Sequence, residues 1–299
     1  MQTGFFFKNL PRAALSVKGK DRTVFLHRLL SNDIKGLRPG QGKPACLLDR
    51  QGKILFSCTA HALPEEILLE MDPSFLPSAR AALERYVVSD VVEFSDATAR
   101  FRVLSAYGAG AETLPASPPP GGFAAGSPWA GMPGLDLWLP AADPQAGNGF
   151  IEAAQAAGMK AGDAQAFEAL RIETGIPWPG HEITSEVILN ELGRDEEFVS
   201  FTKGCYVGQE IVARIKHRAH PPRLLQGFLL EGEDLPAPGG RLLQEDKPVG
   251  TLTSSCFSPT LQRAIGLGFL NYGLTKGIYR VAGSTGDEMR AELTRLPFV

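Results

Sequence analysis

The sequence predicts an α+β protein, with a mixed α/β region over residues 1–220 and a small antiparallel β-barrel over 221–299. Three observations carry this. Helical and strand-like spacings alternate through the first 220 residues, enough for two subdomains. The pair Pro221-Pro222 marks a change of character. Beyond it, short apolar runs recur between Gly, Asp and Pro turns, the pattern of short strands closing on themselves.

The elements follow in order. Residues 21–33 have helical spacing, with Asp21 as the expected N-cap and Val24, Phe25, Leu26, Leu29 and Leu30 as the apolar face. Ala45–Leu48 and Ile54–Cys58 flank the polar turn Asp49-Arg50-Gln51-Gly52-Lys53 and read as a hairpin. Residues 66–71 suit a strand. Residues 73–86 suit a helix, with proline near its start. Residues 87–94 and 101–107 are strand-like. From 115 to 134 the chain is rich in Pro, Gly, Ala and Ser, which predicts a surface loop. A strand over 135–139 follows, then helices over 149–159 and 164–174, the second ended by Gly175. In the barrel region the runs 224–230, 241–244, 250–255, 264–270, 278–281 and 291–296 are the expected strands.

Composition narrows the function. The formal net charge is −3, with 43% hydrophobic and 21% charged residues. Nothing in that balance recruits a polyanion, so direct nucleic-acid binding is not expected. The four cysteines, Cys46, Cys58, Cys205 and Cys256, are far apart and form no C-x-x-C pair. Neither a metal site nor a disulfide framework is expected from that spacing. The apolar start around Phe5-Phe6-Phe7 is too short for a signal segment, and no run approaches a membrane span. A cytoplasmic protein with reduced thiols is the expectation. No G-x-G-x-x-G, phosphate-loop lysine motif or H-E-x-x-H pattern occurs, and His181-Glu182 lacks the second histidine.

Three segments have the composition of working parts. Leu170-Arg171-Ile172-Glu173-Thr174-Gly175 places Arg171 and Glu173 near a helix C-terminus, where a carboxylate opposes the macrodipole by about 0.3–1 kcal/mol. The two charges are either solvated or set to a specific task. In Lys203-Gly204-Cys205-Tyr206-Val207-Gly208-Gln209-Glu210, a thiol stands beside Lys203 and ahead of a helix expected to run to Lys216. Both neighbours favour a thiolate, whereas a small buried cysteine is the plainer alternative. The densest basic stretch follows, with Arg214, Lys216, His217, Arg218 and Arg223. It is either a solvated helix end or a contact for an acidic partner.

Together these segments resemble one family. Lys203–Glu210 resembles the K-G-C-[FY]-x-G-Q-E signature of YgfZ-type folate-binding proteins. Leu170–Gly175, with Pro177 and Gly180 after it, resembles a stretch shared by that group and the aminomethyltransferase (T-protein) of the glycine cleavage system. Phe25–Asp33 is similar to the F-L-x-x-[LM]-x-[ST]-N-D pattern of the same superfamily, and Gly250–Gly268 is similar to its C-terminal barrel. The resemblance implies a cloverleaf of two mixed α/β parts forming a folate-binding region, closed by the barrel. It also implies a monomer.

The implied cofactor is tetrahydrofolate or a one-carbon-substituted folate. The resemblance makes Glu173 the carboxylate that receives the adjacent N–H donors of the pterin, with Arg171 beside it. Trp178, Phe201 and Tyr206 are candidate ring walls. Arg214, Lys216, Arg218 or Arg223 would meet the folate carboxylates. Cys205 and Lys203 are the candidate reactive pair. One departure matters. The aminomethyltransferases end a Q-G-x-x-x-D-D strand with an acidic pair, whereas Gln51–Ser57 ends here in Phe56 and Ser57. Phenylalanine cannot ionise or take a proton. The expected function is therefore a folate-binding accessory protein for iron–sulfur cluster assembly or repair. It would support tRNA modification indirectly, with iron–sulfur enzymes or assembly proteins as partners. The alternatives are a folate-dependent aminomethyltransferase or demethylase, and a non-catalytic scaffold.

Overall fold

The computed structural model describes residues 4–127, 132–232, 234–282 and 288–299. Its first half contains β1 (Phe5–Phe7), β2 (Ala13–Lys18), α1 (Arg22–Leu29), β3 (Gly42–Leu48), β4 (Ile54–Ala62), β5 (Ile67–Met71), α2 (Leu76–Glu84), β6 (Glu93–Asp96), β7 (Phe101–Tyr107), β8 (Phe123–Gly126) and β9 (Gly134–Pro140). The second half contains α3 (Asn148–Ala156), β10 (Lys160–Ala161), α4 (Ala164–Glu173), α5 (Asp195–Phe198), α6 (Gln209–Arg218), β11 (Arg223–Leu230), β12 (Arg241–Gln244), β13 (Lys247–Ser258), β14 (Arg263–Asn271), β15 (Ile278–Ala282) and β16 (Glu288–Thr294).

These strands form three sheets. One runs β3-β4-β5-β2-β6, a second runs β10-β1-β7-β9-β8, and β11-β14-β13-β12-β15-β16 close into a barrel. All barrel pairings are antiparallel, as the spaced runs and turns predict. Closure leaves no strand edge to pair elsewhere. The first sheet buries Leu15, Phe56, Cys58 and Leu69 against Phe25, Leu26 and Leu29 of α1 and Leu83 of α2. The second packs on Phe150 and Ala154 of α3. A further core joins the parts, with Cys46, Leu48 and Ile54 from the β3–β4 hairpin, Ile172 from α4, Val212 from α6, and Ile265, Leu267 and Phe269 from the barrel.

The two α/β sheets also meet through charge. Arg12, ahead of β2, pairs with Glu70 of β5 and lies 3.5 Å from Asp136 of β9. His61 of β4 lies 2.8 Å from the other Glu70 oxygen. Burial raises the Asp136 carboxyl pKa above its ordinary range.

Three expectations are corrected. Asp21 makes no side-chain cap on α1; its carboxylate accepts the Val91 N–H at 2.8 Å. Residues 87–92 are not strand, and Val88 is 90% exposed. The loop expected over 115–134 contains β8, whose Phe123 stacks on Trp138 at 5.3 Å; residues 128–131 of that stretch lie outside the described residues.

Candidate functional site

A small, solvent-open cleft lies where the first sheet meets the chain on either side of α5. Pro44, Cys58, Thr59, Ile176, Pro177, Arg194, Glu197 and Phe198 line it. Its walls are mostly apolar, with one carboxylate and one guanidinium.

The walls are held from behind by Ser31 and Asn32. The Ser31 hydroxyl donates to the Phe198 carbonyl at 2.6 Å and accepts the Cys46 N–H at 2.9 Å. The Asn32 amide donates to the carbonyls of Pro44 and Glu197, both at 2.8 Å. Two adjacent residues after α1 thus tie β3 to α5. This accounts for the Ser-Asn pair in physical terms: each satisfies backbone groups on both walls that would otherwise be buried unpaired.

Along β4, alternation sorts the side chains. Phe56 enters the core beneath α1. Ser57 and Thr59 face the other way, and Thr59 lines the cavity. Ser57 is fully buried, and its hydroxyl has no hydrogen-bond partner among the described residues.

The segment after α4 supplies Ile176 and Pro177, and a buried polar knot positions it. Arg171, with no exposed surface, donates to the Ile176 carbonyl at 3.2 Å and to the Ser254 hydroxyl at 2.8 Å. It pairs with Glu168 and, at 3.3 Å, with the fully buried Glu182. Glu182 also accepts from Trp178 N at 3.0 Å and from Thr253 and Ser254 at 2.6 Å each. Arg171 thus braces the site from within the α4–barrel interface.

Glu173 meets the barrel too. Its carboxylate accepts from the Ser258 hydroxyl, from Thr260 N at 3.1 Å and from the Thr260 hydroxyl at 2.9 Å. These donors offset its unfavourable place at the end of α4. The residue is 2% exposed and lies outside the cavity walls. Of the expected ring walls, Trp178 packs edge-on to Phe167 at 5.1 Å, and Phe201 packs against His217. Tyr206 is buried beneath the Lys203 ammonium, 4.9 Å from its ring centre. None of the three lines the cavity.

The segment 203–210 is largely a knot of structure. Lys203 donates to the carbonyls of His27 and Leu30 at the end of α1, and burial lowers its pKa to about 8. Its amine is therefore directed at a helix terminus. Gly208 precedes α6 with φ +82°, and a β-carbon there would lie 2.6 Å from the Asp49 carbonyl. Only glycine fits both conditions. Gly204 meets neither. Cys205 is exposed and lies with Gln209, Arg214 and His217 along an open groove on α6, apart from the cavity. The other three cysteines are buried. Arg223 binds Glu191 at 2.9 Å, and Lys216 binds Glu196 at 2.7 Å.

Arg194 and Glu197 were not expected at a site. They sit in the run Arg194-Asp195-Glu196-Glu197, which reads locally as a solvated helix start. The one available hint was its position between Pro177 and Lys203, two stretches already singled out.

Comparison with known proteins agrees with this architecture. Residues 223–299 match the glycine cleavage T-protein C-terminal barrel domain. An aminomethyltransferase of Thermus thermophilus is 28% identical over 309 aligned residues, covering 95% of this chain and 83% of that protein. One from Frankia alni is 28% identical over 304, covering 95% and 82%. The crystal structure of the glycine cleavage system aminomethyltransferase T from Bartonella henselae superposes with a TM-score of 0.79 at 18% identity, over 99% of this chain and 86% of that one. No described helix is long and apolar enough to cross a membrane, and no described cluster of His, Cys, Asp or Glu could hold a metal ion. The chain thus shares the fold of that aminomethyltransferase, and its residues 223–299 match the T-protein barrel domain.

Proposed function

We propose that this chain holds a tetrahydrofolate in the cavity between Thr59, Ile176 and Phe198 and acts on the one-carbon unit it carries, as an aminomethyltransferase-like protein. One observation carries the reading: two of the stretches that resemble the superfamily, the Ser31-Asn32 end of the first and the segment running into Pro177, meet at one cleft. Ser31 and Asn32 clamp its walls, β4 supplies Thr59, and the end of α4 runs into Ile176 and Pro177. Apolar walls with a few placed polar groups suit a reduced pterin. Glu173 and Arg171 shape the site by joining α4 to the barrel.

The test is calorimetric titration with tetrahydrofolate, alongside Ile176→Trp, which fills the cavity. Binding by the wild type and its loss in the variant is the expected result. No binding at millimolar ligand would sink the folate reading. Incubation with a methylated amine or aminomethyl-lipoyl donor, scored for methylene-tetrahydrofolate, then tests transfer directly.

A second reading is favoured by Phe56, Ser57 and Cys205. With no acid on β4 at that position and an exposed thiol beside Arg214, the chain would serve instead as a YgfZ-type accessory protein to iron–sulfur enzymes or assembly proteins, with Cys205 as the working group. Complementation of a YgfZ-deficient cell with Cys205→Ala separates the two. Loss of methylthiolase recovery supports the accessory role, and full recovery removes it.

A further inference from the structure

We propose that the seam between the two α/β sheets is a proton-operated latch: it closes around one proton shared between His61 and Asp136, and it loosens when alkaline conditions remove that proton. The seam is a buried row of side chains from both sheets. Arg12 ahead of β2, His61 of β4 and Glu70 of β5 come from the first; Tyr107 of β7 and Asp136 of β9 come from the second. None of these side chains is more than 5% exposed. Thr59, on the wall of the cleft, stands opposite Glu70 across β4 and β5, so the latch adjoins that wall. It operates whether or not the cleft takes a folate.

Charge counting requires the proton. Arg12 is the one fixed cation of the seam; it donates to Glu70 and lies 3.5 Å from Asp136. It also donates to the Tyr107 hydroxyl at 2.5 Å, which in turn lies 3.1 Å from the Ser127 hydroxyl and donates to Asp136 at 3.4 Å. Burial keeps that phenol protonated, and it does the same for the Cys58 thiol that faces Glu70. With His61 neutral and both carboxyls ionised, one cation would face two anions, leaving an unbalanced negative charge out of reach of water. One proton restores neutrality, and it has two places to sit. Asp136 Oδ2 and His61 Nδ1 are both buried and have no hydrogen-bond partner among the described residues. On Asp136 it leaves Arg12 and Glu70 as a matched pair. On His61 it makes an imidazolium whose Nε2 is already 2.8 Å from Glu70. Either placement ties the sheets together, and loss of the proton sets Asp136 of one sheet against Glu70 of the other.

The experiment is urea unfolding of the full chain from about pH 6.5 to about pH 9, in wild type and in Asp136→Asn. Folded wild type keeps a proton that the unfolded chain releases in this range. Its folding constant should therefore fall, by up to about tenfold per pH unit, relative to that of Asp136→Asn, in which Arg12 and Glu70 match without the proton. Titrations elsewhere in the chain cancel in this ratio. A ratio that stays constant across the range overturns the latch. Carbon-13 and nitrogen-15 NMR on the wild type reads the proton itself, and serves equally if the variant does not fold. Near neutral pH either the Asp136 carboxyl should be protonated or the His61 imidazole charged; both groups deprotonated overturns the proposal. Hydrogen-exchange protection in β5 and β9, corrected for the intrinsic rate, should drop in wild type as the proton leaves and hold in Asp136→Asn. Protection that persists in wild type after deprotonation overturns the loosening.

Discussion

Removing the Arg171 side chain tests whether the polar knot behind the cavity is as consequential as its burial implies. Arg171→Ala deletes the hydrogen bonds to Ile176 and Ser254 and both ion pairs. The Glu168 pair contributes little to the loss, since that carboxylate is 36% exposed and re-solvates. Glu182 is different. It has no exposed surface and keeps its donors from Trp178, Thr253 and Ser254 but loses its counter-charge. An uncompensated buried charge of this kind costs about 3–5 kcal/mol. At roughly 2 °C per kcal/mol for a chain of this size, the melting temperature should fall by about 6–10 °C. Urea unfolding followed by circular dichroism measures the free energy directly. Adding Glu182→Gln removes the stranded charge and should recover about 2 kcal/mol, a coupling outside simple additivity. A loss below about 1 kcal/mol in Arg171→Ala, or strict additivity in the double variant, would refute the reasoning. Because Arg171 holds the Ile176 carbonyl, the single variant should also weaken ligand binding.

Two further outcomes follow from burial and charge. Iodoacetamide at neutral pH should add to Cys205 alone, because Cys46, Cys58 and Cys256 are buried and burial raises their thiol pKa values, that of Cys256 to about 12. Mass spectrometry should find one adduct on the native chain, none on Cys205→Ser and four in urea; rapid labelling of a second native site contradicts the packing. Glu66, gripped by Arg100 at 2.6 and 2.8 Å, has a carboxyl pKa held below its ordinary 4.5. The folded state then binds fewer protons than the unfolded one in that window, so this contribution is present above about pH 4.5 and lost as pH falls further. Glu66→Gln should lose less stability than wild type between pH 5 and pH 3, and parallel pH profiles for the two would rule this out.

How much was legible depended on how local the cause was. The β3–β4 hairpin, α4 and the barrel strands were readable because their side-chain periods and turn residues lie within each segment. Strand β8 was hidden in a Pro- and Gly-rich stretch, since what makes it a strand is pairing to β9 and the stacking of Phe123 on Trp138, a residue 15 positions on. Residues 87–92 look apolar enough for a strand, yet pairing to β2 begins only at Glu93. The site divides the same way. Ser31, Asn32 and the turn into Ile176 stood out in the sequence. Arg194 and Glu197 did not, because Asn32, 165 residues away, brings them to the cavity. The same limit applied to Lys203, whose partners His27 and Leu30 lie more than 170 residues earlier.

The Ser31–Asn32 clamp bears on how the cavity would discriminate between ligands. Both walls hang from one rigid loop by backbone hydrogen bonds, so the gap between Pro44 and Phe198 is set before anything enters it. A ligand that fits need not order its surroundings, and little of its binding free energy is spent on immobilising protein. A thicker one meets a gap that cannot widen without breaking several bonds at once. Selection by thickness thus precedes selection by hydrogen bonding, and substitutions at Asn32, whose amide bonds the main chain of both walls, should relax it.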